Sequence, residues 1–325
     1  MVMVQSHGEF GMATIATASE RAKVSGLGLQ WKGVFPANPT PVHDDGRINE
    51  ESLRAIFEDN LSHGVDGFWV AGSTGEGPVM SDQQRETTAR IAGETISGRG
   101  LSIMHVGAVS TDSAVKGARA AKESGCDAIC CVPPFFFRGE DQMTIDHYKL
   151  VADAADGLPF FVYNLPQLTQ VEFTPELMQK VMDAVPTVIG LKHSAPTFGN
   201  IREFADMGLK CFSGNGALPL PALTLGAVGT VDAPLALAPW LYTELHDAWE
   251  RGDIKTAQSL QNQTKPIVDV VRMFGAPAGV TKVILSERLG VDCGSPIPPV
   301  TNLTEEQRFI VLAAAENAGL LEAPE

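Results

Sequence analysis

No apolar run among the 325 residues approaches the ~18 that a membrane-spanning helix requires, so a membrane is not an expected partner. Basic side chains are scarce: 24 Lys and Arg stand against 39 Asp and Glu, for a formal charge of −15. Such a surface repels nucleic acid and anionic lipid, although a local pocket can still hold a small anion. Only five cysteines occur, Cys126, Cys130, Cys131, Cys211 and Cys293, with no CxxC pair and no histidine at ligand spacing. Cys130, Cys131 and Cys211 lie in apolar, strand-like runs, where a thiol serves as a small hydrophobe. A reducing, cytoplasmic setting fits that usage best, and no disulfide frame is expected. The seven histidines are scattered, so no metal site is expected. A glycine-rich phosphate fingerprint is also missing, because the first candidate strand ends in "NPTP"; this counts against a doubly wound nucleotide-binding sheet. Aromatics make up 7%, with three tyrosines.

What is present is a regular alternation. From residue 33 onward, short apolar and β-branched runs are followed by stretches rich in Ala, Glu, Arg and Gln. The strand candidates are "GVFPANPT", "DGFWVAG", "SIMHVGAV", "AICCVPP", "FFVYNLP", "TVIGLKHS", "CFSGNG" and "AVGTVDA". Helical segments at 49–62, 82–97, 111–124, 143–156, 175–184, 199–206, 217–225 and 239–250 separate them. Ser81 and Thr174 stand where N-caps belong, the latter before Pro175. Eight such repeats require a parallel sheet with helical crossovers, and the spacing predicts a (β/α)8 TIM barrel over residues 31–252. Residues 253–325 read as a C-terminal helical extension, with "GSPIPP" linking its last two helices. Residues 1–30 read as a disordered tail, in which "SHGEFGM" looks like a tag remnant and Met12 a native start. The alternative for "MATIATASERAKVS" is an organellar transit peptide.

Active sites of such barrels lie at the C-terminal ends of the strands. The stretch "VIGLKHSA" there places Lys192 in an otherwise apolar strand without a neighbouring carboxylate. An amine in low dielectric is driven toward its neutral, nucleophilic form, which is what imine formation with a carbonyl needs. The plainer alternative is a lysine extending its head out of the strand end. Gly190 clears space on the same face. Tyr163 ends the preceding strand, within reach of Lys192, where a phenol can move protons for the imine chemistry; it could equally be a core tyrosine. "GSTGE" offers the hydroxyls of Ser73 and Thr74 and the exposed N–H groups around Gly72 and Gly75 to hold a carboxylate, although such loops are also common turns. Ser194, Gly214 and Asp232 end neighbouring strands and are candidate substrate contacts, as is Phe136 in "PPFFFRG". That run could line an acceptor pocket or form a subunit or lid contact. His193 and Asp232 could face the acceptor or serve only as support.

"GSTGE", "YNLP" and "GLKHS", in this order and spacing, resemble the N-acetylneuraminate lyase / dihydrodipicolinate synthase family of pyruvate-dependent class I aldolases. The likeness extends from about Gly33 to about Arg288. It implies a homotetramer, a dimer of dimers, in which the matching Lys192 forms a Schiff base with pyruvate. No other cofactor and no metal are implied. Tyr163 would be the general acid/base, with Ser73 and Thr74 holding the carboxylate and joining the proton relay. A 2-oxo acid and an aldehyde would be the small-molecule partners. Departures bear on the substrate. Leu168 replaces the arginine that dihydrodipicolinate synthases place after the fifth strand, so that activity is not expected. Gly216-Ala217 and Ala233 replace groups that hold the sugar tail in neuraminate lyases. Phe136 replaces a tyrosine of the relay. A class I aldolase acting on pyruvate or a 2-oxo-3-deoxy acid is therefore the expectation. The alternatives are a Schiff-base dehydratase of 2-oxo-3-deoxy sugar acids and a non-catalytic 2-oxo-acid-binding paralogue.

Overall fold

The structure, a computed structural model, describes residues 30–137 and 139–323. The expected N-terminal tail, with its tag and transit-peptide readings, lies outside the described residues except for Gln30. The first half runs β1 (Gly33–Val34), α1 (Glu50–Ser62), β2 (Gly67–Val70), α2 (Asp82–Ile96), β3 (Leu101–His105), α3 (Thr111–Glu123), β4 (Ala128–Cys131) and α4 (Asp141–Ala154). The second runs β5 (Phe160–Asn164), α5 (Pro166–Thr169), α6 (Pro175–Ala184), β6 (Val188–His193), α7 (Asn200–Asp206), β7 (Lys210–Ser213), α8 (Pro219–Thr224), β8 (Gly229–Thr230), α9 (Pro234–Leu237) and α10 (Pro239–Glu250). Three further helices follow: α11 (Ile254–Val271), α12 (Pro277–Leu289) and α13 (Glu305–Asn317).

The strands are parallel and ordered β1-β8-β7-β6-β5-β4-β3-β2. The remaining seam, between β1 and β2, is crossed by Asp66 N–H to Val34 O and Trp69 N–H to Pro36 O, each 3.0 Å. The result is a nearly closed (β/α)8 TIM barrel. Helix starts follow local chemistry. The Ser81 hydroxyl accepts the Gln84 N–H while the Gln84 side chain accepts the Ser81 N–H, a reciprocal capping box. Thr174 accepts the Leu177 N–H, and Pro175 loses nothing at a first-turn position whose N–H has no helical partner.

Strand alternation divides the apolar residues into two layers. Outward residues such as Phe68, Val70, Ile129, Val162 and Leu191 pack under the helices. Inward residues fill the barrel, where the Trp69 ring lies 5.6 and 5.8 Å from those of Phe161 and Phe212. Gly190 and Gly229 stand in register with those two phenylalanines, and a Cβ on either would lie 2.7 Å from the facing ring. The space cleared by Gly190 is thus taken by Phe161, not left for the lysine two residues on. Trp31 covers the N-terminal end of the barrel, with its ring 5.2 Å from Phe161.

The C-terminal helices lie against the barrel wall. Ile267, Val271, Val280, Ile284 and Val311 share one buried cluster with Ile56 of α1, Leu237 of α9 and Leu241 of α10. Arg288 of α12 pairs with Asp59 of α1 at 2.6 Å. Among the described residues, no helix is long and apolar enough to cross a membrane.

Candidate active site

Lys192 and Tyr163 are register partners in the β5–β6 ladder, one residue from the C-terminal end of each strand. Both point into the barrel and are 3% and 2% exposed. Lys192 Nζ stands 4.6 Å from the centre of the Tyr163 ring and 5.6 Å from that of Trp69. Among the described residues no carboxylate pairs with it. Aromatic faces attract a cation without accepting its protons, so these rings leave the nitrogen without a hydrogen-bond acceptor.

The Tyr163 hydroxyl lies 3.2 Å from Ser73 Oγ. Ser73 is exposed and Thr74 is buried in the loop after β2. The loop is tightly folded. Gly77 N–H donates to Gly72 O at 3.1 Å, and Thr40 Oγ1 donates to Gly75 O at 2.8 Å. A Cβ at Gly75 would sit 2.9 Å from Ala71 Cα, so this turn closes only over glycine. Glu76 ends the loop in left-handed backbone, φ +61°. Its carboxylate pairs with Lys282 of α12 at 2.5 Å and accepts the Ile297 N–H at 2.7 Å. Burial pushes this carboxyl up against the opposing pull of Lys282.

Ser194 and Gly214 end adjacent strands. A Cβ at Gly214 would fall 1.9 Å from Ser194 Oγ, so glycine there is what admits the serine side chain. Both carboxylate oxygens of Asp232 accept backbone N–H groups, from Gly216 and Ala233, each at 2.8 Å. Tyr242 donates to Gly216 O at 2.8 Å from the other side. Asp232 therefore fastens the β7 and β8 loops together. Phe136 lies in the loop between β4 and α4, 73% exposed, its ring edge-on to Phe137 at 5.1 Å. Of the three phenylalanines it is Phe135 that packs on the interior cluster. His193 alternates away from Lys192 and faces outward: its ring is 5.5 Å from Phe204 of α7, and Nε2 lies 3.1 Å from Thr197 O. It does not face the acceptor side of the pocket. Among the described residues, no group of three or more His, Cys, Asp or Glu is placed to hold a metal ion.

The sequence matches the Dihydrodipicolinate synthetase family over residues 30–318. The chain belongs to that family. It is 32% identical over 273 residues to an N-acetylneuraminate lyase of Citrobacter koseri, covering 83% of this chain and 92% of the relative. An N-acetylneuraminate lyase of Salmonella paratyphi B is 33% identical over the same shares. Among solved structures, the sialic acid aldolase of Ruminococcus gnavus superposes with a TM-score of 0.84 at 27% identity, covering 90% of this chain and 98% of that one. Dihydrodipicolinate synthase of Aquifex aeolicus gives 0.82 at 26% identity, covering 89% and 98%. The protein is a carbon–carbon lyase of this class I aldolase family. The relatives are named as lyases, aldolases and synthases, and none favours the dehydratase or the non-catalytic alternative.

Within this family member, sequence reasoning overlooked two interior residues, Trp69 and His105. Both alternate with outward apolar neighbours, Phe68 and Val70 about Trp69 and Met104 and Val106 about His105, and that period-2 placement was the signal available. His105 is wholly buried. Burial, reinforced by the Lys192 charge, pushes its pKa down to about 3. The Cys130 thiol of the same interior layer is pushed well up by its burial.

Proposed function

We propose that the protein is a Schiff-base aldolase in which Lys192 condenses with pyruvate or a 2-oxo-3-deoxy acid and makes or breaks a carbon–carbon bond to an aldehyde. The observation that carries this reading is the amine of Lys192 beside the Tyr163 phenol, itself bonded to Ser73, where no carboxylate among the described residues pairs with the amine. Lys192 Nζ adds to the C2 carbonyl, and the carbinolamine hydroxyl leaves as water with a proton from Tyr163. The iminium makes the adjacent methyl acidic, and the phenolate takes its proton to give the enamine. Enamine C3 attacks the aldehyde carbon, and Tyr163 protonates the new alkoxide. Water then hydrolyses the imine, returns a proton to Tyr163 and frees a 4-hydroxy-2-oxo acid. Cleavage runs the same steps in reverse.

Ser73, Thr74 and the N–H groups about Gly72 and Gly75 are assigned to the 2-oxo acid carboxylate. Ser194 and Gly214 are assigned to the substrate side of the pocket, with Asp232 supporting it and Phe136 at its rim. The curated relatives are named for N-acetylneuraminate, but Gly216, Ala217 and Ala233 offer no side-chain hydrogen bond to a polyol tail. A shorter or less polar aldehyde fits these small residues better. A reducing compartment suits five free, buried cysteines. An even homo-oligomer, with the exposed Phe136 and Phe137 against a second copy, completes the proposal.

Borohydride trapping with pyruvate, followed by peptide mass mapping, tests it. A reduced pyruvyl adduct on Lys192 is expected, and Lys192→Ala should lose both adduct and turnover. An adduct on another lysine, or turnover that survives Lys192→Ala, would overturn the reading.

A further inference from the structure

His105 takes no part in the chemistry above, yet it occupies the barrel interior beside it. It ends β3 and is 1% exposed, with its ring perpendicular to that of Tyr163 at 5.9 Å. Its Nδ1 lies 3.1 Å from the carbonyl oxygen of Ala71. A carbonyl only accepts, so Nδ1 carries the proton and donates. The tautomer is thereby settled, and Nε2 is a bare acceptor, buried and without a partner among the described residues. An unmade buried acceptor is a cost, and an apolar side chain could fill the same space without it. What histidine provides here and an apolar side chain would not is the Nδ1–H.

The recipient of that hydrogen bond is an unusual carbonyl. Ala71 is a non-glycine residue in left-handed backbone, φ +53°, directly after β2 ends at Val70. Such a conformation persists only where its surroundings impose it. The turn swings the Ala71 carbonyl inward. There it presses so closely on Gly77 that a Cβ on that residue would stand 1.8 Å from the oxygen. Two residues later comes Ser73, whose hydroxyl meets Tyr163. His105 therefore bonds the loop two residues before Ser73 and meets the Tyr163 ring on its other side.

We propose that His105 is a positioning residue: by holding the Ala71 carbonyl it locks the turn that presents Ser73 and Thr74, and it thereby sets affinity for the 2-oxo acid carboxylate. This rests on the Schiff-base reading for the identity of the ligand, but not for the geometry of the loop. Because the imidazole is buried and kept neutral, it does not act as an acid or base in the working range.

Two amide substitutions separate the nitrogens. In His105→Asn the amide NH2 falls where Nδ1 was; in His105→Gln it falls near Nε2. Borohydride trapping against pyruvate concentration should give half-saturation for His105→Asn within about threefold of the unsubstituted protein. The His105→Gln value should be about tenfold weaker or more, as for one lost hydrogen bond in a binding loop. The pH profile of His105→Asn should parallel that of the parent protein from about pH 5 to 8. Amide hydrogen exchange over residues 71–77 reads the loop without using the imine, and should be faster in His105→Gln alone. Equal affinity and exchange in the two variants would overturn the proposal. So would a pH limb displaced by His105→Asn, which would make the imidazole an acid–base group. If the parent protein traps no pyruvate while exchange still separates the variants, the Schiff-base reading fails and the positioning role stands.

Discussion

Lys192 is distinguished by what its surroundings withhold. An amine paired with a carboxylate would be held as ammonium and would have to break that pair before attacking a carbonyl. Here the amine faces the rings of Tyr163 and Trp69, and no carboxylate among the described residues pairs with it. In the proposed mechanism the same tyrosine moves the protons, and its hydroxyl reaches Ser73 at 3.2 Å. Tyr163→Phe keeps the ring beneath the amine and removes only the proton carrier. The expected result is a fall in kcat of about 10²–10⁴, the usual contribution of a positioned acid/base. Pyruvate trapping on Lys192 should still reach completion, only more slowly. Steady-state kinetics and a trapping time course on this variant check both halves, and an unchanged kcat would remove Tyr163 from the mechanism.

At the level of elements, the barrel was legible in the sequence because each strand is a short apolar run and each crossover helix has its own polar surface and cap. Two short helices were not. α5 begins at Pro166 and α9 at Pro234, within text that continues the strand runs "YNLP" and "TVDA". A single turn has too few residues to show a period. The candidate site was legible as a cluster where residue type and strand end coincide, as at Lys192, Tyr163 and the Ser73–Thr74 loop. It was illegible where a side chain could be placed only by tertiary contact. Asp232 ties two loops through backbone N–H groups, and Phe135 rather than Phe136 turns inward. The Glu76–Lys282 pair joins residues more than two hundred positions apart, and no local pattern announces it. That pair ties the Gly72–Glu76 loop to α12 and to the linker at Ser295 and Ile297, because Lys282 Nζ also donates to Ser295 O at 3.0 Å. Lys282→Met leaves a buried carboxylate without its cation and should cost about 3–5 kcal/mol. Adding Glu76→Gln removes that charge while keeping an acceptor for Ile297 N–H, and should recover most of the loss. Urea unfolding of the two single variants and the double variant measures the coupling; additive losses would mean that the pair does not act as a unit.

For the molecule as a whole, pH acts through two opposed effects. The formal charge of −15 implies self-repulsion that eases as acid protonates surface carboxylates, which would favour the fold at lower pH. Against it stand histidines that fold into neutral, buried positions. Burial lowers the pKa of His105 to about 3 and that of His147 to about 4, and lowers that of His193. His147 sits between the Thr111 hydroxyl, 2.9 Å from Nδ1, and the Cys131 thiol, 3.5 Å from Nε2. The unfolded chain protonates these groups near 6.5, whereas the folded chain keeps His147 neutral down to about 4, His105 down to about 3, and His193 to below its ordinary value. The unfolded state thus binds more protons through this window, and stability present above about pH 6.5 is lost as pH falls toward 4. Each group contributes up to about 1.4 kcal/mol per pH unit within it. Surface repulsion is screened at physiological salt, while the buried groups are not, so the histidines win. Urea unfolding at about 0.15 M salt should therefore show lower stability at about pH 5 than at about pH 7. His147→Gln keeps a polar group beside Thr111 but does not titrate, and should reduce the pH slope by one proton. A stability that rises on acidification would mean that charge repulsion governs instead, and an unchanged slope in His147→Gln would mean that His147 is protonated in the folded state.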